Sequence, residues 1–350
     1  MSSYVYLRVK EIQVDFYHIG SIFTHMITPP KVLCLADFMT RYGTQEACLQ
    51  QIETHRWPNG FVCPRCRHHG GYALLGRRSY ECSGCGKQTS VTSGTAFAYT
   101  KLSLPKVFLA MYLISANKQG ISGKSLAKHL GCSLPTSWHL LHKFRHSMQE
   151  RDAGYQLAGF VEVDEAYVGG IATGVTTRGR STKHKTPVVA MVEKRGTNLS
   201  GYMSLQPVHD VRSATLMEVV TTKIAPGSDI KTDACASYNK LNEHGFNHSP
   251  ELSLGGKKSA TQFKLVHRQI ANFKSWLLGT HRNTCRTHLD LYTAEFSWRT
   301  NRRNRYIDGK TDNQEATITD RLLTALVSGR HWSWTNIRKQ RWKPAEKRAA

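Results

Sequence analysis

No apolar run in this 350-residue chain approaches the length of a membrane span. The first thirty residues also lack the basic start and apolar centre of a secretory leader. Acidic side chains are scarce: 25, against 48 lysines and arginines, for a formal net charge of +23. That balance points to a polyanionic partner, or to a merely basic surface. Neither a P-loop nor a dinucleotide fingerprint occurs, so neither the P-loop NTPases nor the Rossmann dehydrogenases account for the chain. Cysteine does not follow the pattern of a secreted disulfide scaffold: of nine, five are scattered and four are paired. A reducing cytoplasmic setting fits this usage.

The paired cysteines are Cys63-x2-Cys66 and, fifteen residues further on, Cys82-x2-Cys85. Two C-x-x-C knuckles at that separation are the sequence form of a tetrahedral four-cysteine zinc site. The segment between them, YALLGRRSY, alternates around Gly76 and reads as a hairpin that brings the second knuckle back to the first. A zinc ribbon is too small to be an enzyme and serves a larger machine by touching nucleic acid or protein.

The rest of the chain divides by texture. Residues 1–34 form an extension without clear period. Residues 35–100 hold a helical stretch, with Thr44 as its internal cap, followed by the ribbon. Residues 101–155 read as helical throughout, and SLAKHLGCSLPTSWHLL within them has the shape of a helix-turn-helix. Leu126, Ala127 and Leu130 give the first helix its apolar face, Gly131 makes the turn, and Ser133 caps the second. Trp138, Leu141 and Phe144 point inward. Thr136, Ser137, His139, His142 and Lys143 point outward, able to reach base edges or phosphates. An ordinary helical hairpin would show the same pattern. Residues 156–310 alternate strands and helices as a mixed sheet covered by helices. Residues 311–350 are a basic tail in which Trp332, Trp334 and Trp342 interleave with Arg338, Lys339, Arg341 and Lys343. Such a tail suits nucleic acid, through phosphate contacts and stacking, or a helix whose tryptophans cover a domain.

Two aspartates interrupt strand-like runs: Asp164 in FVEVDEAYV and Asp233 in DIKTDACASY. A carboxylate inside an apolar strand is costly unless it meets a metal, a partner or solvent. Alternation puts Val161 and Val163 on one face, Glu162 and Asp164 on the other; Glu165 belongs to the valine face. Carboxylates on adjacent strands are what two-metal phosphodiester chemistry needs, since Mg²⁺ or Mn²⁺ takes only a few of them and keeps several waters.

With these blocks in hand, the chain resembles a known family. FVEVDEAYVGG, IKTDACASY, VHRQIANFKSWLLGTHR and HLDLYTAEFSWRTNRR are similar to successive blocks of bacterial insertion-sequence transposases of the DDE superfamily, the group with an N-terminal zinc ribbon, a helix-turn-helix and an RNase H-like catalytic domain. The resemblance runs from about Leu35 to Arg303. It implies an α/β fold with an RNase H-like mixed sheet, and it makes Asp164 and Asp233 the first two ligands of a catalytic Mg²⁺ or Mn²⁺. The family's third ligand is usually a glutamate. Here Asn272 stands thirty-nine residues after Asp233, which resembles a D-D-N variant; Glu295, sixty-two residues after Asp233, is the rival acid. His267 lies five residues before Asn272, about 140° around an ideal helix. Lys274, Arg302 and Arg303 give the region a basic character suited to strand phosphates.

The function so implied is a DNA transposase that binds terminal inverted repeats and catalyses metal-dependent strand cleavage and transfer, as a homo-oligomer on double-stranded DNA at the nucleoid. The alternative is a non-catalytic DNA-binding regulator, or an inactive or domesticated remnant. Asn272 is the best argument for that alternative.

Overall fold

The computed structural model describes residues 34–74, 78–169, 185–197, 199–252, 262–282, 286–303, 306–307, 310–311 and 318–339. The extension up to residue 33 and the tail beyond 339, with Arg341, Trp342 and Lys343, lie outside the described residues.

The ribbon is a three-stranded antiparallel sheet of β1 (Gly71–Leu74), β2 (Ser79–Cys82) and β3 (Gln88–Ser90), with β2 in the middle. Phe61 stacks on Tyr80, and Trp57 meets both edge-on, so an aromatic block backs the cysteines. Five helices follow the expected helical stretches: α1 (Leu35–Tyr42), α2 (Gln45–Arg56), α3 (Leu104–Ala116), α4 (Gly123–Leu130) and α5 (Leu134–Asp152). Residues 35–56 break into two helices at Gly43, and the Thr44 hydroxyl accepts the Ala47 N–H at 3.2 Å. Ser122 and Ser133 cap α4 and α5 in the same way. Gly131, at φ +59°, makes the left-handed turn between them, a conformation that costs glycine nothing. The α4–turn–α5 unit is a helix-turn-helix-like pair.

The second half is a five-stranded sheet in the order β6-β5-β4-β7-β8. Its strands are β4 (Phe160–Val168), β5 (Thr186–Arg195), β6 (Leu199–Pro207), β7 (Asp229–Asp233) and β8 (Asn247–Glu251). β4, β5 and β6 run antiparallel, and β7 and β8 are parallel to β4 and to each other. That is the RNase H-like arrangement. The sequence NHSPE of β8 has no alternation and was not expected as a strand; it sits at the sheet edge, where a proline is tolerated. Helix α6 (Ser213–Lys223) covers one face, packing Leu216 and Val220 with Val161, Val163 and Ile230. Helices α7 (Lys264–Trp276) and α8 (Leu289–Arg303) cover the other, packing Val266, Phe273 and Phe296 with Ala166, Val168, Val188 and Ala190.

The last described helices are α9 (Ile318–Ser328) and α10 (Trp334–Lys339). Leu322, Leu323 and Leu326 of α9 fall into the same core as Phe38, Ile52, Phe108, Leu126 and Phe144, and so does Trp298 of α8. The N-terminal half therefore borrows its core from the C-terminal end of the chain. None of the described helices is long and apolar enough to cross a membrane.

Candidate active site and nucleic-acid interface

β4 and β7 pair in parallel up to Glu162 and Lys231. Two residues beyond that pair on each strand stand Asp164 and Asp233, side by side at the centre of the sheet. Both are half-buried. Burial pushes the Asp164 carboxyl up; the nearby negative charge of Asp233 adds to this, and His267 opposes it. The His267 Nε2 lies 3.1 Å from Asp164 Oδ2. Glu162, buried on the same face, accepts the N–H groups of Leu265 and Val266 at 2.9 and 3.0 Å, so it caps the start of α7 and clamps that helix to β4. Glu165 points to the opposite face, as expected. It receives the Tyr238 hydroxyl, and burial pushes its carboxyl up to about 7, with the charges of Asp164 and Asp233 adding.

Asn272 is not brought into this group. It is exposed, roughly 140° round α7 from His267. Its flank is that of Arg268, whose guanidinium donates to Ser200 of the edge strand β6. The flank facing Asp164 carries His267 and, one turn further on, Ala271; Lys274 follows there, exposed. α7 has no acidic residue at all. The rival Glu295 is excluded on other grounds. Its buried carboxylate accepts Arg145 Nε at 2.7 Å and pairs with Arg299 Nη1 at 3.4 Å. Burial works against its charge, yet Arg145 and Arg299 hold the carboxyl below the usual range.

Most of the residues expected to meet DNA have partners within the chain. Arg302 grips Asp152 with both terminal nitrogens, at 2.6 and 2.9 Å, and Arg303 donates to the carbonyls of Ser115, Asn117 and Lys118 that end α3. These arginines hold α8 to the helical half. On α5, Ser137 donates to the Gly123 carbonyl at 2.8 Å, and Lys143 reaches the carbonyls of Ala96 and Ala98 at 3.3 Å. His142 is buried beside Trp138, His288 and Tyr292. The outward face expected of a free helix-turn-helix is covered here by α8 and by the segment leading to α10. Trp332 of that segment is buried and stacks on His146 at 3.8 Å, while Trp334 stays 40 % exposed. Thr136, His139 and Lys274 remain partly or fully exposed.

The cysteine quartet is assembled. The Sγ atoms of Cys63, Cys66, Cys82 and Cys85 all lie within 4.8 Å of one another, the only such group of metal-ligating side chains among the described residues. The Arg65 N–H donates to Cys63 Sγ at 3.4 Å and the Gly84 N–H to Cys82 Sγ at 3.3 Å. The Cys66 N–H, opposed by burial, holds the Cys63 thiol down at about 6. At Cys66 the His68 N–H works downward, but the crowd of Cys85, Cys82 and Cys63 pushes the thiol up. Four sulfurs that cannot all be charged without a cation are a donor set that fits Zn²⁺.

Residues 156–301 match the ISXO2-like transposase domain, and residues 43–88 match the transposase zinc-ribbon domain. An uncharacterized protein in transposable element ISH50 of Halobacterium salinarum is 27% identical over 206 residues, 54% of this chain and 67% of that protein. Among solved structures, the Mos1 transposase paired-end complex with left transposon end aligns with 55% of this chain and 73% of its own at 13% identity and a TM-score of 0.22. The Mos1 mariner paired end complex with Mn aligns with 63% of this chain and 75% of its own at 11% identity and a TM-score of 0.25. The chain belongs to the insertion-sequence transposases in which a transposase zinc ribbon precedes an ISXO2-like transposase domain.

Proposed function

We propose that the protein binds the terminal repeats of its own element as a homo-oligomer and cuts and joins DNA strands at the Asp164–Asp233 pair. The observation that carries this reading is the placement of two carboxylates level with each other on the central parallel strands, half-buried and crowded enough for burial and mutual charge to raise Asp164. Such a pair suits a hard divalent cation. Asp164 and Asp233 would hold Mg²⁺ or Mn²⁺, which when bound supplies charge neutralisation at the reacting phosphodiester and a more acidic water. His267 keeps Asp164 oriented through its Nε2 contact, and the Glu162 cap fixes the helix that carries His267. Lys274 lies on the same flank, free to meet a strand phosphate. The cysteine quartet would hold structural zinc, and the surplus of positive charge would neutralise phosphates along the duplex, so affinity should fall steeply with salt.

The test is strand transfer by the purified protein on the cloned ends of its element, with and without Mg²⁺. Asp164→Asn and Asp233→Asn should abolish the reaction and leave binding of the ends nearly intact. A second reading, a DNA-binding remnant without catalysis, is favoured by the absence of any acid on α7. End binding with no cleavage under any divalent cation would establish it.

A further inference from the structure

A cleft of about 440 Å³ opens beside the start of α5, in the size range of small-ligand sites. Its wall brings together Tyr99, Lys101, His139, Lys143 and Trp334 from three separate parts of the chain. Tyr99 is unusual twice over. The residue is 88% exposed, and its backbone sits at φ +54°, in the left-handed region that costs a non-glycine residue free energy. His331 meets its ring in a T-shaped contact, at 5.0 Å between centroids. Across the cleft Trp334 stands edge-on to Trp138 and His139, at 5.5 and 5.3 Å, and is itself partly exposed. At the wall the Lys143 ammonium is buried, spends two N–H groups on the carbonyls of Ala96 and Ala98, and has no carboxylate within ion-pair reach among the described residues. His139 Nε2 is buried without a hydrogen-bond partner. The wall holds two lysines and no acid. The fitting occupant is therefore flat, apolar on its faces and anionic. The chain's own segment 340–350 is basic and repelled by the same lysines.

We propose that this cleft receives a single unpaired nucleotide of bound DNA, with its base against Tyr99 and Trp334 and its phosphate at Lys143 and Lys101. The inference rests on the DNA-binding reading above and extends it from duplex contacts to an extrahelical base. Aromatic faces stack on any base, so the site selects for an unpaired nucleotide rather than for sequence. Burial pulls the Lys143 ammonium down to about 8, and a phosphate beside it would favour the charged form and move it back up.

The test uses the full chain and two short duplexes, identical except that one carries a single bulged 2-aminopurine. The parent should bind the bulged duplex about tenfold more tightly, the scale of one stacked base, and should change the 2-aminopurine fluorescence. Trp334→Ala and Tyr99→Gly should lose both effects while binding the paired duplex like the parent. Glycine takes a positive φ without strain, so Tyr99→Gly keeps the fold and removes only the ring. Equal affinity for the two duplexes with unchanged fluorescence would overturn the cleft and leave the DNA-binding reading standing. Failure to bind either duplex at low salt would overturn the DNA-binding reading, and the cleft with it.

Discussion

Glu295 and Arg145 meet 2.7 Å apart with neither side chain open to solvent, and through them helix α8 is joined to α5, the long helix of the helix-turn-helix-like pair. Arg299 shares the same carboxylate, and Arg145 lies over the Tyr292 ring at 4.1 Å. Removing the one negative charge strands two buried guanidinium groups. Glu295→Gln should therefore cost on the order of 3–5 kcal/mol of stability. Urea denaturation measures this, and a variant as stable as the parent would contradict it. The effect is structural: Mn²⁺ binding by the folded fraction should be unchanged.

Cys82→Ser should release the zinc and unfold the ribbon, because structural zinc supplies much of the folding free energy of such modules. Trp57, packed edge-on against Phe61 and Tyr80, is the local reporter. Its emission should shift toward that of an exposed indole as bound zinc, measured by atomic absorption, disappears. A parent protein free of zinc would sink the prediction.

Helix α7 offers two positions to test, His267 beside Asp164 and Asn272 on the other flank. His267→Ala should reduce strand transfer about tenfold to a hundredfold, the usual effect of losing a group that orients a metal ligand. Asn272→Ala should stay within a few-fold of the parent. Ala271→Glu is the sharper variant: it puts a carboxylate one turn from His267 on the flank facing Asp164, and Mn²⁺ affinity by calorimetry should rise. Asn272→Glu, on the other flank, should not raise it. The opposite order would return Asn272 to the site.

The histidines buried along α5 set a pH limit. Burial pulls His139 down to about 4, His146 to about 3, and His281, packed on Tyr292, to about 4. Their folded values lie below the unfolded 6.5, so the unfolded chain binds protons first as pH falls. Stability is full above about pH 6.5 and is lost progressively toward pH 4. His142 adds to this in the same direction, with Arg145, His288, His146 and His139 as its charged or titratable neighbours. His146→Phe keeps the stack on Trp332 and should flatten the acid limb of the stability curve. An unchanged curve would mean that carboxylates alone govern acid unfolding.

What could be read from the sequence was local. The C-x-x-C pairs, Thr44, Gly131 and Ser133, and the alternation around Asp164 each carry their structural cause within a few residues, and each appears as expected. What escaped depends on distant partners. Arg302 and Arg303 read as a solvated charge run, and nothing nearby in sequence announces that Asp152 and the end of α3 lie against them. Ser137, His142 and Lys143 fall on the outward side of an isolated α5; only the return of the C-terminal segment buries them. β8 is polar and short because an edge strand needs neither an apolar face nor every N–H. His267 was visible as a residue, but its side of α7 is settled by the Glu162 cap, a contact across 103 positions.

The seat of α9 in the N-terminal core bears on how the protein is made. Leu322 and Leu326 fill space between helices synthesised some two hundred residues earlier. A nascent chain on the ribosome therefore holds its helix-turn-helix-like helices around an open core until α9 emerges. Fragments broken off before α9 would lack part of that core and should be prone to proteolysis.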